Sequence, residues 1–194
     1  MLLLELPNPT LSHWENFYVI VGSSAGALTG LQFVVMTLLK EQHSSSMDQV
    51  RAFGSPTVVH FCFALLISAL MSMPSPTLRG TSVCIIISGV LGLVYAINVV
   101  SHAHRQEGYH PDREDWLWYI ITPILAYTAL TVSGLLLPKL TEALYVPAAT
   151  ALGLLFLGIR NSWDTVTYIA VAQHEQRRLR RERRESAEAV PPAQ

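Results

Sequence analysis

Five stretches without a charged side chain, at residues 17–39, 54–78, 80–101, 116–138 and 143–159, constrain what this chain can become. They are 23, 25, 22, 23 and 17 residues long. A helix needs about 20 mainly apolar residues to cross roughly 30 Å of hydrocarbon at about 1.5 Å each. Four runs reach that length, and the fifth reaches it with Arg160 near an interface. In hydrocarbon every backbone N–H and C=O must be satisfied within its own segment, so such runs are helices. The expected fold is all-α: an integral membrane bundle of five transmembrane helices over about 17–39, 55–76, 81–101, 116–137 and 144–166. Composition points the same way, since 51% of the 194 residues are hydrophobic and only 14% are charged. The connections are short. One transmembrane domain over residues 1–176 is expected, followed by a basic tail at 177–194.

Residues 1–16 carry Glu5 and Glu15 and no lysine or arginine, whereas a removable leader begins basic, so the first run is expected to be a permanent helix. Pro74, Pro76 and Pro138 close or follow apolar runs. Pro123 lies inside one, where neighbouring groups can satisfy the carbonyl it frees.

With five spans the termini lie on opposite sides. One side then collects Lys40, Arg51, Arg105, Arg113 and six tail arginines, Arg177, Arg178, Arg180, Arg181, Arg183 and Arg184, while the other holds Arg79 and Lys139. Basic residues stay cytoplasmic, so the N-terminus is expected outside and the C-terminus inside. The segment "TVTYIAVAQHEQRRLRRERRESAEA" has no proline and sets Glu175 against Arg178, and Arg178 against Glu182, at helical pair spacings. The last helix is therefore expected to run on into the cytoplasm. Its arginines follow a span directly and are expected to bind anionic lipid, worth about 1 kcal/mol per residue near the surface, rather than nucleic acid.

This topology puts every strongly polar side chain of the spans in the inner leaflet: Gln32, His60, Asn98 and Arg160, with Asp164 four residues on as a partner for Arg160. Ionisable groups at such depth face the bundle interior or a watery cavity. The leading expectation is a small channel or transporter-like protein with a cytosol-facing polar vestibule, non-enzymatic and without a cofactor. Gln32 and Asn98 also serve as glue between helices. The loop "SHAHRQEGYHPDRED" supplies the second reading, a metal- or haem-dependent membrane enzyme. Its His102, His104, His110 and Asp112 are residue types that bind Zn, Fe or Mn, and a haem between His60 and His102 is the variant of that idea. His102 and His104 are two apart, however, which turns them to different sides of a helix. A structural or assembly role is the third reading. Cys62 and Cys84 lie in spans and form no CxxC pair, and no phosphate loop, nucleophile elbow or H-E-x-x-H is present in the sequence.

Helix contacts are also written in the sequence. Gly22, Gly26 and Gly30 recur every four residues in the first run, and Ser88, Gly92 and Ala96 do so in the third. Small residues let helix backbones approach closely where no hydrophobic drive joins them. The matching stripes predict that the first helix packs on the third, with homo-oligomerisation through another face.

Two stretches, "FGSPTVVHF" at 53–61 and "GIRNSWDTVTYIA" at 158–170, resemble those of an uncharacterised family of small bacterial polytopic membrane proteins. The resemblance carries no activity. It implies a bacterial inner (cytoplasmic) membrane as the location and treats the two segments as one unit.

Overall fold

The computed structural model describes residues 13–42, 47–73, 77–103 and 117–188. The elements are α1 (Glu15–Gln42), α2 (Met47–Met71), α3 (Leu78–Ala103), a π-turn (Leu117–Ile121) that runs into α4 (Thr122–Leu136), a 3-10 turn (Thr141–Leu144) and α5 (Tyr145–Glu188). Among the described residues there is no strand. Four segments are long and apolar enough to cross a membrane: Glu15–Thr37, Leu78–Ser101, Leu117–Leu136 and Thr141–Thr167. A shorter apolar stretch, Pro56–Met71, lies in α2. This is the build of a multi-pass membrane protein.

The second run differs from its expected span. α2 ends at Met71, and the Ser72 N–H donates to the Ser68 carbonyl at 3.0 Å as the chain turns away. Met73 precedes Pro74, whose ring disfavours helical backbone in the residue before it. Pro123 lies inside the apolar segment Leu117–Leu136, in the first turn of α4 just after the π-turn, where the Thr122 hydroxyl donates to the Leu117 carbonyl at 2.8 Å.

α1 packs along α2, α2 along α5, and α3 along α4; α4 also meets α5, and lesser contacts join α2 to α3 and α1 to α5. The glycine stripes follow this pairing, which corrects the expectation that α1 packs on α3. A Cβ on Gly22 would stand 2.9 Å from Cβ of Ser68 on α2, and Gly26 faces Leu65 of the same helix. Gly30 has no neighbour there within 4 Å. On α3, Gly92 lies against the Tyr127 ring of α4, one turn from Gly89, which meets the backbone of Thr131. Ser88 is buried and donates to the Cys84 carbonyl of its own helix at 2.8 Å, and Ala96 is buried too. The physical reason is that a small-residue stripe permits close approach without naming the partner.

The interior mixes large apolar side chains, among them Phe61, Ile67, Leu130 and Leu154, with small and polar ones, and the exterior is largely apolar. Ala25, Ala64, Ala148, Ala151, Ser68 and Ser133 are buried, while Ile20, Phe33, Ile87, Leu91, Leu125 and Phe156 are exposed. An exposed apolar surface of this extent suits lipid, not water. α5 is the central helix: its apolar window is 56% buried, against 22–28% for the other three long ones.

Candidate functional site

Side-chain contacts fix the direction of α5 relative to α1. Where both begin, Trp14 meets Tyr145 edge-on with ring centroids 4.9 Å apart, and Phe17 and Tyr18 pack beside Trp14. Farther along, the Ser162 hydroxyl donates to Oε1 of Gln32 at 3.1 Å. The two helices thus run parallel, and the 18 residues from Trp14 to Gln32 span about 27 Å at about 1.5 Å each. The exposed Trp163 and the half-buried Trp118 mark the far level. Two aromatic levels at this separation fit the two faces of a hydrocarbon layer roughly 30 Å thick.

Between these levels the buried polar groups sort by chemistry. Toward Trp14 they are hydroxyls, those of Tyr18, Ser68, Thr81, Ser82, Ser133 and Thr150. Those of Thr81, Ser82 and Ser133 donate to backbone carbonyls, Ser82 to Gly134 at 2.6 Å, whereas the buried hydroxyls of Tyr18 and Ser68 have no hydrogen-bond partner. Toward Arg160 they are amides and an imidazole: Gln32, Asn161 and His60, with the Thr57 hydroxyl.

His60 lies on α2 and is 2% exposed. Its Nδ1 and the Tyr127 hydroxyl of α4 are 3.1 Å apart, in a hydrogen bond whose donor depends on the imidazole tautomer. Tyr127 is fully buried, packed on Phe63 with ring centroids 4.9 Å apart, and seated on Gly92 of α3. The glycine belongs to the site. Only a residue without a side chain leaves room for that ring, and the ring delivers its hydroxyl to His60.

Arg160 leaves the apolar core sideways. Its guanidinium carbon lies 4.2 Å above the Trp118 ring centroid, and its Nε is 3.6 Å from Oδ2 of Asp164. Both side chains of the ion pair are partly exposed, at 36% and 42%. The cation is therefore shared between an aromatic face, a carboxylate and the surface, which lowers the cost of keeping it beside the apolar layer. Asn161, the next residue, turns inward and is fully buried.

The five residues expected in one inner-leaflet cluster, Gln32, His60, Asn98, Arg160 and Asp164, all lie toward the same end of the bundle. They do not form one ring. Gln32 bonds to α5, His60 to α4, and Arg160 with Asp164 stays at the rim. Asn98 is separate, on the exposed side of α3. The side chain of His102, and residues His104, His110 and Asp112, lie outside what the structure describes; among the described residues no group of three or more His, Cys, Asp or Glu could hold a metal ion. In the tail, Arg178 and Glu182 pair at 2.9 Å on the surface of α5.

Sequence reasoning missed Tyr127, Trp118 and Asn161. Signals for the last were present. Asn161 follows Gly158 by three residues, and Gly158 is where Phe61 of α2 presses against α5. A glycine that admits a ring marks the inward face, and a residue three positions on shares that face. The chain matches no family model, and no characterised protein or solved structure was found to be similar to it.

Proposed function

We propose that this chain is a multi-pass protein of a bacterial inner membrane, with its N-terminus outside and its C-terminus in the cytoplasm. In this reading it is a small channel or transporter-like protein, or a component of one, that admits a polar solute from the cytoplasmic end. The observation that carries the reading is the polar asymmetry: Gln32, His60 and Asn161 are buried toward Arg160, and the half toward Trp14 offers hydroxyls. Purely structural bundles in lipid pack with small residues and hydroxyls, the groups that the Trp14 half buries. Amides and an imidazole are costlier to bury and mark solute paths. The basic residues support the orientation, since ten of twelve in loops and tail fall on the Arg160 side.

The test is flux through purified protein in liposomes, with a panel of sodium, potassium, chloride, protons, urea and glycerol read by light scattering and ion-sensitive dyes. A solute that crosses faster than in empty vesicles, and is slowed by His60→Ala, supports transport. Background flux for every solute, from protein shown to be folded and correctly oriented, would refute it.

A further inference from the structure

The side-chain amide of Asn161 is fully buried, and neither its oxygen nor its nitrogen has a hydrogen-bond partner. Its backbone is ordinary, with the carbonyl accepting from the Thr165 hydroxyl at 2.8 Å. An amide buried without partners is among the costlier things a membrane helix can hold, because no bulk water is there to replace them. The usual reliefs are absent. Arg160, although adjacent in sequence, is turned to Trp118 in the π-turn before α4, and Ser162 already donates to Gln32 on α1.

The surroundings of Asn161 follow from the register of α2 against α5. A Cβ on Gly158 would fall on the ring of Phe61, so these two positions face one another. Asn161 lies three residues beyond Gly158 on the same face, one turn toward Arg160. Thr57 lies four residues before Phe61, on the same face of α2 and one turn toward the same end, and it too is fully buried. Ser162 and Gln32 bring α1 to this level. Asn161 therefore sits in the wedge of α1, α2 and α5, among a hydroxyl from each of two helices and an amide from the third.

From this geometry we infer that Asn161 is the floor of an internal site for a small uncharged guest that both donates and accepts hydrogen bonds, water being the smallest. The amide offers one acceptor and two donors, and the flanking Thr57, Ser162 and Gln32 also carry both kinds. A cation would leave the amide N–H groups unanswered, and an anion would leave the oxygens so. The nearest formal charges, Arg160 and Asp164, answer one another at the rim. The inference names the solute class for the transport reading above, but the site itself stands or falls separately, because its test needs no flux.

That test uses the full-length protein in detergent and the near-isosteric variant Asn161→Leu. With a guest present, the leucine expels it and strips hydrogen bonds from Thr57 and Gln32 as well, so the thermal midpoint falls by several degrees. If the amide is simply unsatisfied, the same change removes a costly group and the midpoint rises. A rise overturns the inference. Because a fall could also follow from misfolding, a second measurement uses the wild type: radiolytic labelling in H2(18)O, with Phe61 as reporter. Phe61 is 1% exposed and lies within one turn of Asn161, so heavy-oxygen labelling there requires water inside the bundle. Labelling of Phe61 that is suppressed several-fold in Asn161→Leu, or blocked by added formamide, supports the site, the second result assigning it a guest larger than water. An unlabelled Phe61 in wild-type protein, under conditions that label the exposed Trp163, overturns it.

Discussion

Replacing Gly92 with alanine adds one carbon at the point where three helices meet, and its cost follows from the structure. The new Cβ would stand 2.5 Å from both Cε1 and Cγ of Tyr127 and nearer still to Cδ1, well inside contact distance. The ring has little freedom to give way, since it is fully buried, packed on Phe63 and bonded to His60. Overpacking of a tight interior costs about 1–3 kcal/mol. A displaced ring also loses the bond to His60, worth about 1 kcal/mol between membrane helices. Against these, alanine is the better helix former by about 1 kcal/mol. The clash wins by about 1–3 kcal/mol, which at about 2–4 °C per kcal/mol for a chain of this size lowers the melting midpoint by roughly 2–12 °C.

Gly30→Ala is the control, because it carries the same gain in helix propensity and meets nothing within 4 Å. It should hold the midpoint or raise it by up to about 2–4 °C, the equivalent of its propensity gain. Thermal unfolding of both variants in one detergent, followed by circular dichroism, isolates the contact with Tyr127. Shrinking the ring in the double variant Gly92→Ala with Tyr127→Leu should remove most of the penalty of the alanine, so the two changes will not add. Equal midpoints for Gly92→Ala and Gly30→Ala would refute the claim that α3 is held against α4 through this glycine.

Tyr127→Phe keeps the ring and deletes the hydroxyl, leaving Nδ1 of His60 without its partner, so the midpoint should fall by the equivalent of about 1 kcal/mol; the same change in a His60→Leu background should cost less, read by the same melting assay. For orientation, single cysteines at Ser12, Ser45 and Gln106 should separate in intact cells, the first reacting with an impermeant maleimide and the other two protected. Labelling at Gln106 from outside would reverse the assignment that follows from the basic residues.

How much of this could be read from the chain depends on whether a property is local or relational. The helical character of the spans was legible, because a charge-free run near 20 residues long has few other solutions. So was the pairing of Arg160 with Asp164, four residues apart on one helix. The extent of α2 was less so. Its apolar run continues past the point where Pro74 ends the helix, and hydropathy does not register backbone restriction. Partners of small-residue stripes were not legible at all. Gly22 and Gly92 each announce a close approach, but Ser68 and Tyr127 are recognised as the other halves only when the helices are assembled.

The same distinction separates Asn98 from Asn161. Both are asparagines near the same end of an apolar helix, and composition treats them alike. Asn98 sits next to Ile97, which is 57% exposed, on the outer side of α3, where an amide can lean toward the headgroups at small cost. Asn161 shares its face with Gly158, and that face is closed by Phe61. Burial on a packed face turns the same chemical group from interfacial decoration into a demand for a partner. No neighbouring side chain meets that demand, and this makes Asn161, rather than the more conspicuous Arg160 or His60, the position at which a polar guest inside the bundle has most to contribute.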